Sequence, residues 1–360
     1  MAGPLGGIGR SRRGVEELAP FCGEAIPCDR MRNEKVSRRT ALKALLATPV
    51  LAPFATSPLT AAPAPQTRPP DAPPALKVGI VSRHLQWTTV EDAIDLARTA
   101  GYDAIEWNVR AGAHIEPERV EKDLPRVVEL TRKAGLAAAM ITTSIQDAAS
   151  PHAEAILRTA SGLGIRFYRG GQYFRYDYTA PLIPQIEALK PRMASLVALN
   201  QKYGMTWAYH THSGGGNIGG NVWDIWMAIR DFDPSLIALN YDTAHTTIRG
   251  GNGWGDAARV ALPFIKCLAI KDARWEQVAG RGWVSEFVPI GDGLVDFKAR
   301  FELLKSGGFR GPVNVHFEHH GLLGTAVGTW QLAMPRAEFL AIIRQDLDRL
   351  RVAMRAAAVL

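Results

Sequence analysis

Short apolar runs alternate with longer amphipathic stretches from about residue 76 onward, and this repeat constrains the fold most. The apolar runs lack the polar alternation of half-exposed strands, which is typical of parallel strands buried on both faces. Between them, apolar residues recur at three- and four-residue spacings, which predicts helices, such as 89–100, 117–134, 182–203 and 337–356. The predicted strands are 76–82, 103–107, 136–142, 165–169, 206–210, 236–242, 265–271 and 312–318.

A glycine recurs where a predicted helix ends and the next strand begins. Glycine adopts the left-handed conformation of a helix C-terminus without a Cβ penalty. The positions are Gly101, Gly135, Gly164, Gly204 and Gly308. Eight strand–helix units predict one domain over 76–360, an α/β (β/α)8 TIM barrel. An open doubly wound sheet is the alternative, but no glycine-rich phosphate-binding turn follows the first strand.

The segment 1–75 has the composition of an export signal followed by a Pro/Ala linker. The pair Arg38-Arg39 precedes an apolar run at 44–55 and small residues at 61–64. This order predicts a signal peptide, and the paired arginines resemble a twin-arginine (Tat) signal. The apolar run is shorter than the about 20 residues that span a bilayer. We therefore expect recognition by the Tat machinery, export to the periplasm or beyond, and no membrane anchor.

The same N-terminal segment carries much of the chain's positive charge. Removing its ten basic and six acidic residues lowers the net charge from +7 to +3. So small a charge on the barrel gives no indication of a nucleic-acid partner. Met31 lies shortly before the paired arginines, so translation could start there, with 1–30 an over-extended reading of the gene.

Cysteine usage excludes two kinds of site in the barrel. Cys22 and Cys28 lie in the N-terminal segment, which leaves Cys267 as the barrel's one cysteine. Neither an internal disulfide nor a thiolate metal cluster can form from it. Because Cys267 lies in an apolar strand, we predict a small buried side chain rather than a nucleophile.

Polar side chains gather at the C-terminal ends of the predicted strands, where barrels of this class carry their active sites. Alternation along each strand indicates which of them share the inner face. Polar groups there are costly to bury unless they bind something, so the set predicts a functional site. The candidates are Glu106, Asn108, Arg169, His210, His212, Asp242, His245, Lys271, Asn314, His316 and Glu318.

Several motifs in the second half of the chain, taken in order, resemble the xylose-isomerase-like barrels. They are Asp242-Thr243-Ala244-His245, Lys271-Asp272, the stretch 290–296 and Phe317-Glu318. The resemblance covers roughly 76–320. The superfamily comprises sugar (phosphate) isomerases and epimerases, inosose dehydratases and related enzymes. The stretch 271–275 followed by a Gly-Asp-Gly turn resembles an exported branch of that superfamily.

The resemblance implies one divalent cation held at the ends of strands five to eight. By position, the four ligands correspond to His210, Asp242, Ala269 and Glu318. Alanine has no ligand atom, and a nearby His212, His245 or His316 could replace it. The predicted metal ligands are His210, Asp242 and Glu318, a mixed imidazole and carboxylate set that suits Mn, Zn, Fe or Co better than Ca. The alternative is a metal-free site in which Lys271 and the histidines polarise the substrate.

The resemblance also implies proton abstraction beside the carbonyl of a sugar, which needs a base and a donor for the developing oxyanion. Glu318 is the predicted base, and His210 or Glu106 is the opposing acid or base. Lys271 is the third predicted catalytic residue. The predicted substrate-binding residues are Trp107, Arg169, His212, His245, Asp272, Trp275 and His316, with the tryptophans stacking on a sugar ring.

Four functions are compatible with this pattern. A small-molecule sugar isomerase or epimerase is favoured. A lyase or hydratase acting on an oxidised sugar or glycoside would use the same enolisation. A carbohydrate-binding barrel without catalysis is the third, since Ala269 interrupts the ligand set. An apurinic-site endonuclease is disfavoured, because a trinuclear zinc shell and a DNA-binding surface are not evident.

Overall fold

The structure, a computed structural model, describes residues 75–171, 173–319 and 331–360, so the predicted signal peptide lies outside the described residues. Eight parallel strands form a closed barrel, in which the first strand pairs with both the second and the last. This confirms the predicted TIM barrel. The barrel strands are β1 (Val78–Val81), β2 (Ala104–Asn108), β3 (Ala137–Thr142), β4 (Phe167–Arg169), β5 (Thr206–His210), β6 (Ile237–Asp242), β7 (Ile265–Ile270) and β10 (Val313–Val315).

Helices surround the barrel and connect its strands. The predicted helix 182–203 is divided into α4 and α5, and the last helix begins one residue before its predicted start. In the part of the chain that the structure describes, none of the helices is long and apolar enough to cross a membrane. The helices are α1 (Val90–Ala100), α2 (Val120–Lys133), α3 (Ala153–Gly162), α4 (Leu182–Glu187), α5 (Lys190–Tyr203), α6 (Trp223–Ile229), α7 (Thr243–Gly250), α8 (Trp254–Ala261), α9 (Phe297–Ser306) and α10 (Arg336–Ala356). Short 3-10 turns span Ser82–Leu85, Pro117–Arg119, Gly251–Gly253 and Leu262–Phe264.

The glycines that end the predicted helices adopt left-handed backbone, as expected. Their φ values range from 59° at Gly204 to 93° at Gly101. At Gly101 the backbone N–H donates to the carbonyls of Ala97 and Arg98, which ends α1. A residue with a Cβ would be strained at such a position.

The apolar core has two parts. A small cluster inside the barrel comprises Met140, Ala208 and Cys267, which come from β3, β5 and β7. Interior layers built from alternate strands are the normal packing of this fold. A larger apolar layer lies between the strands and the helices and includes Trp107 and Trp207. Cys267 is buried, and burial raises the pKa of its thiol well above the usual value, in agreement with a packing role.

A β-hairpin follows β7 and was not predicted. Its strands, β8 (Asp272–Val278) and β9 (Gly282–Val288), pair antiparallel outside the barrel sheet. The hairpin mixes charged and apolar residues, so it lacks the continuous apolar run that marks the barrel strands. Gly280 and Gly282, both with positive φ, form the turn.

Candidate active site

Asp242 and His245 lie together because β6 passes directly into α7. Asp242 is the last residue of β6 and the N-cap of α7, where its Oδ1 accepts a hydrogen bond of 2.9 Å from the His245 backbone N–H. Its own N–H donates to Thr211 Oγ1 at 2.8 Å. Acidic N-caps satisfy the free amides of a first helical turn. The cap leaves Asp242 Oδ2 directed to other partners and places the His245 ring beside it.

Lys271, the residue after β7, links the acidic and histidine side chains. Its Nζ donates to Glu318 Oε1 at 2.6 Å and to His245 Nε2 at 3.0 Å. Asp242 Oδ2 lies 3.2 Å from the same nitrogen as an ion pair, without the angles of a hydrogen bond. Burial lowers the pKa of Lys271, but the charges of Asp242 and Glu318 outweigh burial and raise it overall. Lys271 is therefore a buried ammonium.

The Lys271 ammonium also sets the protonation of Glu318. Burial by itself raises the pKa of the Glu318 carboxyl, but the charge and hydrogen bond of Lys271 outweigh it and lower the pKa below the usual value. A carboxylate that interacts with a nearby cation stays ionised at neutral pH. Glu318 is thus available as a base.

The histidines of this region are neutral. Burial, followed by the positive charges of Lys271 or Arg169, lowers the pKa of His210, His245 and His316 well below the usual value. The same causes lower the pKa of His212 to about 3. Neutral imidazoles can donate and accept hydrogen bonds or ligate a metal.

Hydrogen-bond partners define two of the tautomers. An ammonium can only donate, so His245 Nε2 accepts from Lys271, and its Nδ1–H faces Ser213 Oγ at 2.9 Å. His212 Nδ1 accepts from the backbone N–H of Gly214 at 3.0 Å, so His212 Nε2 carries the hydrogen. His212 therefore offers an N–H donor.

A cavity of about 450 Å³ opens at the C-terminal ends of the strands. Five of the predicted site residues line it, namely Asn108, Arg169, His212, His316 and Glu318. Glu318 is the one carboxylate among the described residues of the lining. The other lining residues are Val81, Arg83, His84, Arg110, Thr142, Gly171, Tyr173, Arg175 and Asn217.

Three arginines and a tyrosine of the lining were not predicted. Arg83 and Arg110 each lie two residues beyond the end of β1 or β2, and Tyr173 and Arg175 follow β4. The recurrence of arginine two residues after β1 and β2 is a signal that the sequence contains. Arg175 lies six residues beyond the end of β4, where strand alternation no longer indicates side-chain direction.

Six predicted residues lie behind the cavity lining, including the fully buried Asn314. His210, Asp242, His245 and Lys271 form the buried cluster described above. Glu106 is also buried, accepts a hydrogen bond from the Thr142 hydroxyl and lies 4.0 Å from His316 Nε2 through its Oε2. Burial raises the pKa of the Glu106 carboxyl.

Two tryptophans predicted to bind substrate lie elsewhere. Trp107 is fully buried, and its Nε1 donates to Thr131 Oγ1 on α2 at 3.1 Å. Alternation along β2 turns it toward the helices, because its neighbours Glu106 and Asn108 face the barrel interior. Trp275 lies on β8, is 43% exposed and does not line the cavity. The placement of both rings contradicts the prediction.

Asp272, another predicted substrate-binding residue, organises a turn instead. Its carboxylate accepts from the backbone N–H groups of Ala273, Gly291, Gly293 and Val295 at 2.8 to 3.1 Å. A Cβ at Gly293 would lie 2.1 Å from Asp272 Oδ1, so the approach requires glycine. The Gly-Asp-Gly motif is therefore explained by structure rather than by substrate binding.

We expect Asp272→Ala to destabilise the protein by about 3 kcal/mol, because it leaves several amides without their acceptor. The free energy of unfolding in urea measures the effect. Asp292→Ala in the same turn is the control, since the exposed Asp292 carboxylate pairs with Arg349 at 2.9 Å, and its loss should cost less than about 1 kcal/mol. Equal losses in the two variants would contradict the role assigned to Asp272.

His210, Asp242 and His245 could hold a metal ion, since each offers a ligand atom and these atoms lie within 4.8 Å of one another. His210 Nε2 is buried and has no hydrogen-bond partner among the described residues. Two neutral imidazoles and a carboxylate suit a divalent transition metal. Of the predicted ligands, Glu318 is absent from this group and is paired with Lys271. Lys271 also engages Asp242 and His245, so an ion and the ammonium would compete for them.

Comparison with known families agrees with this geometry. The sequence profile of the family described as "Xylose isomerase-like TIM barrel" matches residues 94–351. The chain belongs to the xylose isomerase-like TIM barrel family. The match covers most of the barrel, including every strand from β2 to β10.

Relatives within the xylose isomerase-like barrels are distant. Inosose dehydratase of Halalkalibacterium halodurans is 30% identical over 129 residues, which are 33% of this chain and 41% of that protein. The alignment thus spans about two fifths of that relative. A xylose isomerase domain protein of Planctomyces limnophilus has a TM-score of 0.58 at 16% identity, covering 79% of this chain and 99% of that one. A D-psicose 3-epimerase of Clostridium cellulolyticum H10 has a TM-score of 0.58 at 15% identity, covering 78% and 99%. These two structures are similar in fold.

Proposed function

We propose that this protein is a sugar isomerase or epimerase that moves a proton on the carbon beside a carbonyl group. The observation that carries the proposal is Glu318, an ionised carboxylate on the cavity wall that pairs at 2.6 Å with the buried ammonium of Lys271. Carbon acids need a positioned base of this kind. The epimerase and the dehydratase among the similar proteins support a sugar-modifying enzyme.

Glu318 takes the proton from the substrate carbon. Protonation removes its charge, while Asp242 at 3.2 Å continues to pair with Lys271. The buried ammonium therefore keeps a counter-ion throughout the step, which avoids the large cost of an isolated buried charge. Lys271, predicted as catalytic, acts through Glu318, because it does not line the cavity.

The developing oxyanion needs hydrogen-bond donors on the cavity wall. His212 offers its Nε2–H, and the guanidinium of Arg169 and the amide of Asn108 also line the cavity. Charge-assisted hydrogen bonds from arginine are about twice as strong as neutral ones. These three side chains are the candidates for stabilising the enediolate.

The return of the proton separates the two activities. An isomerase can use Glu318 for both transfers, whereas an epimerase needs a second proton carrier on the opposite face of the carbon. His316 lines the cavity, stacks on His210 with 5.6 Å between ring centroids, and has Glu106 behind it. Glu106 and His210, the predicted opposing groups, would act through His316.

Solvent hydrogen exchange tests the proposal directly. The protein is incubated in D2O with a panel of neutral and acidic aldoses and ketoses, and nuclear magnetic resonance follows the C–H next to the carbonyl. We expect loss of that signal for at least one sugar, with the isomer or epimer as product. A panel without exchange and without any new product would contradict catalysis and favour a carbohydrate-binding barrel.

A dehydratase is the second candidate, favoured by the similarity to inosose dehydratase. Elimination uses the same enolate but expels a hydroxyl group from the neighbouring carbon. Mass spectrometry of the products distinguishes the two, because elimination removes one water and isomerisation conserves mass.

A divalent ion is part of the proposal through His210, Asp242 and His245. When bound, it would supply positive charge to a developing oxyanion. We expect Lys271→Met to raise the affinity for Zn²⁺ or Mn²⁺ about 10-fold or more, since it removes a cation 3.2 Å from Asp242 Oδ2. Isothermal titration of metal-depleted protein measures this, and adding His210→Ala should reverse the gain. Unchanged affinity in Lys271→Met would argue against this ligand set.

We also propose export through the Tat pathway, based on the paired Arg38-Arg39 and the apolar run after it. N-terminal sequencing of the protein recovered from the periplasm should begin after the small residues at 61–64. Protein retained with the intact N-terminus in the cytoplasm would contradict export.

A further inference from the structure

The wall of the cavity is strongly cationic. Four guanidinium groups line it, those of Arg83, Arg110, Arg169 and Arg175, which we call the arginine wall. Glu318, the carboxylate of the described lining, already pairs with Lys271. The positive charge of the wall is therefore not balanced by the lining itself.

Neutral groups orient most of the arginine wall. Arg110 donates to the carbonyls of Thr143 at 2.8 Å and Gly170 at 3.0 Å. Arg169 donates to the Tyr173 hydroxyl at 2.8 Å. Arg175 donates to the Gly215 carbonyl at 2.9 Å. Within the described ranges none of these three forms a salt bridge. Arg175 is exposed, but Arg110 and Arg169 are half-buried, where a charge is commonly paired.

The guanidinium groups lie close enough to oppose one another. Burial lowers the pKa of Arg110 to about 9, and the charges of Arg169 and Arg83 add to the effect. Burial and the charge of Arg169 also lower the pKa of Arg83. The groups remain protonated at neutral pH, so the fold holds like charges together around the cavity.

Several polar atoms of the lining are buried without a partner. They are Arg169 Nε, His316 Nε2 and both polar atoms of the Asn108 side chain, none of which forms a hydrogen bond within the described chain. Asn108 is 1% exposed and His316 is 6% exposed. An unsatisfied buried polar atom costs about 1–3 kcal/mol. A polar ligand in the cavity would remove that cost.

We propose that the cavity binds a sugar that carries a carboxylate or phosphate group, with the anionic oxygens held by Arg110 and Arg169 and the reacting carbon next to Glu318. Guanidinium groups bind both anions in two-pronged geometry. A cavity of about 450 Å³ accommodates a single sugar unit of this kind. The position of the reacting carbon rests on the proposed function, whereas anion binding does not.

Equilibrium binding of anionic and neutral probes tests the inference with a readout other than catalysis. Isothermal titration with D-gluconate, D-glucose 6-phosphate and D-glucose compares a carboxylate, a phosphate and a neutral sugar. We expect at least one anionic probe to bind about 10-fold or more tightly than D-glucose. The tighter of the two anions identifies the substrate class.

Arg169→Gln should remove that preference, and Arg259→Gln is the matched control. Arg259 is an exposed arginine on α8 that does not line the cavity. In the wild-type protein, added NaCl should weaken anion binding and leave D-glucose binding unchanged, a readout that does not depend on the folding of a variant.

Equal binding of all three probes, or an anion preference that survives Arg169→Gln, would overturn the inference. Exchange on neutral sugars alone, without anion binding, would refute the inference and keep the proposed function. Anion-selective binding without exchange or elimination would support the inference and contradict the proposed function.

Discussion

Glu318→Gln is expected to reduce hydrogen exchange and product formation by a factor of about 10²–10⁴, the range of a positioned general base. Glutamine has nearly the same shape and its Oε1 can still accept from Lys271, so the cavity should persist. Kinetics at saturating sugar measure the effect as a loss in kcat. Glu302→Gln, an exposed carboxylate of α9 in an i,i+4 pair with Lys298, is the control.

The pH dependence provides a second readout for Glu318. Because Lys271 lowers the pKa of Glu318, the wild-type rate should hold as pH falls until below the usual carboxyl range. Removing Lys271 takes away the main cause that opposes burial, so the pKa of Glu318 should rise and the acidic limb should move to higher pH in Lys271→Met. A kcat that survives Glu318→Gln, or an acidic limb that does not move, would contradict Glu318 as the base.

Lys271→Met is expected to destabilise the fold by about 3–5 kcal/mol at neutral pH. The substitution leaves the fully buried Asp242 carboxylate without its cation, and breaking a buried pair from one side has this cost. Urea unfolding monitored by circular dichroism measures the difference. Lys271→Met combined with Asp242→Asn should recover part of the loss, because the isolated buried charge disappears.

The direction of the pH effect on stability follows from the two pKa shifts. The raised pKa of Lys271 stabilises the fold below the lysine's unfolded value, and this contribution disappears as pH rises through the folded value. The lowered pKa of Glu318 stabilises the fold above its unfolded value and is lost as pH falls through the folded one. The free energies of unfolding of wild type and Lys271→Met should therefore differ most at neutral pH. A difference that stays constant from acid to alkaline pH would contradict the pairing of Lys271 with Glu318.

Sequence periodicity sufficed for the barrel, because eight apolar runs and five capping glycines carry local signals. Periodicity did not predict the hairpin β8–β9, because its strands mix charged and apolar residues. The pairing of Lys271 with Asp242 and Glu318 could not be predicted either, since it depends on how three separate strand ends meet in space.

Side-chain direction decided which of the predicted site residues reach the cavity. Arg169, His212, His316 and Glu318 line the cavity as expected, whereas Trp107 and Asp272 satisfy structural partners. A tryptophan or an aspartate near the end of a strand has several possible partners, and local sequence does not choose among them. Arg169 of the arginine wall ends β4, whereas the other three arginines follow the strands, where no periodic pattern defines the conformation.

The uncharged imidazoles described above have a consequence for how the protein responds to its surroundings. Histidines normally change charge between pH 5 and 8, yet burial lowers the pKa of His84 and His212 to about 3 and those of His210, His245 and His316 well below the usual value. These five rings at the mouth of the barrel therefore do not change charge through that interval. Around the candidate site, the five imidazoles would hold a constant electrical state while the pH of the surroundings varies.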